Sequence, residues 1–79
     1  MKVGEITHYY DHIGVAIVKL KTALHVGDRI KFVGHGGDFE QTVESLQIDH
    51  KSVESAGAGA VIGLKTDQKV KVGTEVEKV

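Results

Sequence analysis

Metal binding, nucleophilic catalysis and phosphate contact are the chemistries that this chain's side chains offer, and spacing tests each of them. The sequence holds five histidines. His8 and His12 are four apart, a spacing that shares one face of a helix; on a strand and the turn after it the two rings need not converge. His35 and Asp38 offer two ligands from one loop, but a metal site of the zinc kind needs three or four placed donors. The sequence closes no such set, so turn histidines in solvent are the plainer reading and no metal is expected. Ser45, Ser52 and Ser55 supply hydroxyls near His50, with no nucleophile-elbow signature and no third group marked to orient a base. Cysteine is absent, which removes thiolate catalysis, thiolate metal sites and disulfides. The expectation is a chain that is not an enzyme.

Gly57-x-Gly59-x-x-x-Gly63 has the outline of a dinucleotide-binding glycine pattern. That mechanism needs a helix after the glycines, so that its N-terminus meets the phosphate. Val61-Ile62-Gly63-Leu64-Lys65 follows instead and reads as a strand. No nucleotide cofactor is expected, and Gly59 and Gly63 are read as turn glycines.

The charged residues nearly cancel: ten Lys and Arg face eleven Asp and Glu, for a formal charge of −1. A general nucleic-acid binder carries a basic excess, so any contact with RNA must be local. Lys19, Lys21, Arg29 and Lys31 form one small basic patch if the second and third strands pair. Lys65, Lys69 and Lys71 form a second. A solvated face of mixed charge is the plainer account of both. Tyr9, Tyr10 and the loop Ala56–Val61, with Ala58 and Val61, are apolar groups near strand ends. They make an alternative surface for a protein partner, because tyrosine presents an apolar body with a polar tip; core packing accounts for at least one of the two tyrosines.

These residues must be positioned by short strands. There is no proline, and ten glycines separate runs rich in β-branched residues. Val3–Tyr10 reads as a first strand. Ile13–Leu20 reads as a second, its unbroken apolar centre suggesting burial on both faces. Lys21–Asp28 is a connection in which Gly27, followed by Asp28, takes the positive φ of a tight turn. Arg29–Val33 alternates, with Ile30 and Phe32 inward. Gly34 opens a turn. Phe39–Asp49 reads as one strand whose change of parity requires a bulge near Glu44-Ser45. Ser52–Ala60 is a small-residue loop, Val61–Lys65 a buried strand, and Gly73 turns between two short closing strands. Ile30, Phe32, Leu46, Ile48, Ile62 and Leu64 are the expected core. The pattern is all-β, and at 79 residues a single domain over 1–79 in the form of a small closed barrel of six to seven strands removes exposed edges most economically. No run approaches ~20 apolar residues, and the first ten residues lack a signal-peptide core. The expected address is cytoplasmic, away from membranes.

Leu24-x-Val26-Gly27-Asp28-x-Ile30-x-x-x-Gly34 resembles a turn and strand in the second domain of elongation factor Tu and its relatives. Thr42-Val43-Glu44-Ser45-Leu46-Gln47-Ile48, Ala56-Gly57-Ala58-Gly59-x-x-Ile62-Gly63-Leu64 and Val72-Gly73-Thr74-x-Val76 are similar to later segments of that domain, in the same order. The resemblance spans residues 3–79 and implies a Greek-key-type barrel of the translation-factor domain 2 type. A similar barrel ends the collagenase-like peptidases, several of which act on RNA. Such kinship implies a binding module for RNA or a ribonucleoprotein, or one that docks on a partner enzyme of the collagenase-like or RNA-modifying kind. Recognition of aminoacylated tRNA does not carry over: the family's acidic residue falls at Gln47, its aromatic at Asp49 and its asparagine at Val61.

Overall fold

Arg29–Val33 shows why this chain makes strands. Ile30 and Phe32 are fully buried while Arg29 stands in solvent, which is the period of two that a half-buried strand requires. The computed structural model describes residues 2–34, 38–49 and 51–79. The expectations for His35 and His50 lie outside the described residues. Ten strands run in chain order: β1 (Lys2–Tyr10), β2 (Val15–Leu20), β3 (Leu24–His25), β4 (Arg29–Val33), β5 (Phe39–Thr42), β6 (Leu46–Ile48), β7 (Lys51–Val53), β8 (Ser55–Ala56), β9 (Val61–Lys65) and β10 (Glu75–Lys78). No helix among the described residues is long and apolar enough to cross a membrane.

Eight strands form one curled antiparallel sheet in the order β5-β4-β10-β1-β2-β9-β6-β7, and β3 pairs with β8 in a separate ribbon. The expected closed barrel of six or seven strands is therefore corrected to a half-barrel, because β5 and β7 end the sheet without pairing to each other. The chain bridges that opening by other means. Val26 N–H donates to Glu54 C=O at 2.8 Å, beside the β3–β8 pairing. Gly27 N–H donates to Val43 C=O, and Val43 N–H to Asp28 C=O, both at 2.8 Å. Gln41 is buried on β5; its Nε2 donates to Lys65 C=O at 2.8 Å and its Oε1 accepts from Asp67 N–H at 2.9 Å. A buried amide that satisfies both its donor and its acceptor ties strands that no ladder joins.

Inside the curl lies one aliphatic core that includes Ile6, Val18, Leu24, Leu46, Ile62 and Leu64. Phe32 lies within it and Phe39, partly buried, stacks on Phe32 from its edge at 4.7 Å between centroids. Ile48, expected in the core, packs against its rim. The second strand begins later than expected. Residues 11–14 form a turn, Ile13 is 63% exposed, and Val15 and Ile17 are half-buried on the outer face while Ala16 and Val18 are buried. Phe39–Asp49 is two strands with different partners, β5 on β4 and β6 on β9. Its change of parity is a corner at residues 43–45 rather than a bulge. The irregular registers occur instead in β1, between Lys2 and Gly4 opposite β10 and between Ile6 and His8 opposite β2. Ser52–Ala60 holds the end of β7 and all of β8, and only one strand, β10, lies beside Gly73.

Candidate functional site

The second irregularity of β1 turns His8 and Tyr10 to the outer face and leaves Tyr9 against the core. Across the sheet, Tyr10 pairs with Val15, which pairs with Lys65. In the neighbouring row His8 stands opposite Ile17, Ile17 opposite Gly63, and Gly63 opposite Gln47. Lys19 faces Val61 in the row beyond. Paired residues share a face, so Gly63 leaves a missing side chain in the middle of an otherwise filled outer surface. The result is an open groove of about 530 Å3, with Ile13, Val15, Ile17 and Val61 among its apolar walls and Gln47 and Asp49 at one side. Tyr10 and Val61 are about half exposed, at 51% and 54%.

Asp49 holds a φ of 51°, the left-handed region in a residue other than glycine. Aspartate tolerates that region better than most side chains, and the residue lies in the turn after β6, among those that line the groove. Gln47, Asp49 and Val61 all line this groove.

The basic patch expected from Lys19, Lys21, Arg29 and Lys31 does not form. Its premise was that β2 pairs with β4, and β1 and β10 lie between them. Those intervening strands carry carboxylates. Lys2, Glu77, Lys31 and Glu40 face one another in turn across β1, β10, β4 and β5, an alternating ladder of charge. Arg29 Nε is 3.6 Å from Glu40 and its Nη1 donates to Thr42 at 3.3 Å. Lys19 stands opposite Glu5, and Lys21 is exposed in the connection after β2. Lys2 Nζ is 2.7 Å from Glu75 Oε1, which raises the Lys2 pKa and lowers that of Glu75.

Asp28 is built into the turn where β4 begins. It accepts from His25 N–H at 3.0 Å, and Lys78 Nζ lies 3.3 Å away. The backbone donor first, and Lys78 after it, hold its carboxyl below the ordinary value. Gly27, Gly34, Gly59 and Gly73 all have positive φ. Gly63, read as a turn glycine, lies inside β9. Ala58 is exposed but does not line the groove, and Ser52 and Ser55 belong to different sheets. Among the described residues no three His, Asp or Glu side chains gather as metal ligands.

The residues that the sequence reading missed are Gly4, Ile17 and the groove as a unit. Gly4 is buried, and a Cβ there would stand 2.6 Å from Lys19 C=O and 2.9 Å from Val18 Cγ1. Only a glycine fits, yet an early glycine in a strand carries no sequence mark of what lies beside it.

Comparison with known proteins adds three findings. Residues 2–74 match the model of the peptidase family U32 C-terminal domain. An uncharacterized protease of Methanocaldococcus jannaschii is 35% identical over 77 residues, covering 96% of this chain. This chain spans 19% of that relative's length. The C-terminal domain of a Geobacillus thermoleovorans U32 peptidase superimposes with a TM-score of 0.93 at 18% identity, covering 99% of this chain and 91% of that one. Its selenomethionine variant gives 0.94 at 20% identity, covering 99% of each. At these identities the two structures speak for the fold alone.

Proposed function

Because the chain belongs to the family of peptidase U32 C-terminal domains, we propose that it is a non-catalytic docking module whose outer groove seats on another protein, first of all the body of a U32 peptidase. The match is consistent with the kinship to collagenase-like peptidases drawn from the sequence. The observation that carries the reading is the groove itself, an apolar hollow on the sheet's outer face that no side chain of the described chain fills. Tyr10 stands half exposed at this hollow, and tyrosine is prominent among the residues that dominate interface energetics. In the Methanocaldococcus relative a segment like this one is about a fifth of the whole, 19%, so a larger body accompanies it there.

RNA or a ribonucleoprotein as the partner has less support. Phosphate contact favours cations gathered on one surface, and here Glu5, Glu77 and Glu40 stand among Lys19, Lys31 and Arg29. The test titrates the chain calorimetrically, at low and at moderate salt, against the Methanocaldococcus protease from which its own like segment has been deleted. Docking through the groove changes little with salt and is abolished by Val61→Glu. A parallel titration uses labelled RNA. Binding to RNA alone, weakening steeply as salt rises, would replace this reading.

A further inference from the structure

The groove has a chemical character beyond being apolar. Asp49 brings the one formal charge among its lining residues; His8 lines it too, opposite Ile17, and no Lys or Arg does. Among the described residues, the Asp49 carboxylate appears in no ion pair and Gln47 in no side-chain hydrogen bond. Both stand at the wall beside the gap over Gly63, while Ile17 and Val61 form an apolar passage and Tyr10 presents an exposed ring. An occupant that fits must have an aliphatic stem to cross that passage and a cationic, donor-rich tip to meet a carboxylate and an amide oxygen. Arginine has that combination: its guanidinium is weakly hydrated, offers five donors, pairs with carboxylates and stacks on aromatic rings.

Resting on the docking reading, we propose that the partner segment seated in this groove inserts one arginine side chain over Gly63, its guanidinium against Asp49 and Gln47. Lys19 and Lys65 lie in the adjoining rows but do not line the groove. The flanking residues of the partner are apolar, to cover Val61 and Tyr10.

Two substitutions separate the tip from the stem. Asp49→Asn removes the charge while keeping a residue type that accepts the left-handed backbone. Gly63→Ala adds a Cβ at ordinary contact distance, 3.5 Å from Val15 Cγ1 and 3.8 Å from Gln47 Cβ, at a glycine without positive φ. The sheet accepts that methyl, but the floor of the groove rises. The experiment titrates wild type and both variants by calorimetry against the Methanocaldococcus protease from which its own like segment has been deleted. In parallel, the capped tripeptides Val-Arg-Val and Val-Glu-Val are titrated into the intact chain while the amide resonances of Gln47 and Gly63 are followed. Asp49→Asn should weaken docking about tenfold, the worth of one hydrogen bond to a charged group, and Gly63→Ala should weaken it by raising the floor beneath the arginine stem. Only the arginine peptide should shift Gln47 and Gly63, and Asp49→Asn should abolish that shift. Docking that survives Asp49→Asn but falls with Gly63→Ala overturns the arginine and leaves the docking reading standing. Docking unchanged in both variants and in Val61→Glu overturns both. Equal shifts from the two peptides also overturn the arginine assignment.

Discussion

Across β1, β10, β4 and β5 one outer row of the sheet reads Lys2, Glu77, Lys31, Glu40; across β1, β2, β9 and β6 another reads His8, Ile17, Gly63, Gln47. The two rows share a strand, a face and a core, yet the chain completes only the first. In the ladder each charge meets its opposite on the next strand, the arrangement that stabilises a solvated sheet face. The other row breaks at a missing side chain, and the apolar groups around it stay half open. A surface that answers its own charges has little left to offer a partner, whereas an unfilled apolar hollow is incomplete until something covers it.

The contrast is confined to the outer face, and the largest expected effects test that. Phe32 lies beneath the ladder and Ile62 beneath the groove, both buried to 1% or less. Phe32→Ala should destabilise by about 3–5 kcal/mol and Ile62→Ala by about 2–5 kcal/mol in urea unfolding. A neutral Ile62→Ala would move the contrast into the core. Gly4→Ala comes next. Its Cβ would press on backbone at 2.6 Å, so the bulged end of β1 must shift, at about 1–3 kcal/mol. If its melting temperature matched wild type, the close packing of β1 on β2, the seam between the two rows, would be refuted.

Asp28 gives the ladder's end a pH dependence of stability. Its folded pKa is depressed by His25 N–H and Lys78, so its contribution is present above the ordinary value near 3.8. That contribution is lost as pH falls through the depressed value. Asp28→Asn should cost about 1 kcal/mol at neutral pH and flatten the acid limb of the stability curve, measured by thermal melts between neutral pH and the acid transition. A variant with the same acid slope as wild type would count against the assignment. Lys31→Glu has a smaller effect. It sets three carboxylates in a row with Glu77 and Glu40, for about 0.2–1 kcal/mol, shrinking as salt screens them. A loss that is the same in high salt would mean that the ladder is packing and not charge.

Much of this was legible in residue order. The alternation of Ile30 with Phe32, and the apolar runs in β1, β2 and β9, mark strands because local parity and burial are set together. Pairing is not local. The same Lys31 reads as part of a basic patch or as a rung of a ladder, depending on whether β2 or β10 lies beside β4, and β10 is contributed by Glu75–Lys78 at the other end of the chain. The corner at residues 43–45 and a bulge there would leave the same parity mark, so two strands read as one. Gly63 illustrates the limit most sharply: in sequence it belongs to a run of turn glycines, and only the register with Ile17 and Gln47 shows it as a gap in a sheet. Tyr10 and Val61 were recognisable as exposed apolar groups, but the groove that joins them is a product of the order β1-β2-β9-β6.

The smallest expected effect on stability is the most informative about the open half. Val61 is 54% exposed in β9, opposite Lys19. Val61→Thr keeps the branched shape and strand preference while placing a hydroxyl in the groove wall. Val61 lies outside the buried core, so the unfolding free energy should stay within about 0.5 kcal/mol of wild type. Docking on the U32 peptidase should nonetheless weaken, because a hydroxyl that gains no partner is desolvated when the groove is covered. Measuring both quantities on one preparation separates two accounts of the same surface. If stability falls by more than 1 kcal/mol, Val61 supports the fold and the open half is ordinary packing seen from outside. If stability holds and docking weakens, the apolar half belongs to an interface completed by the partner.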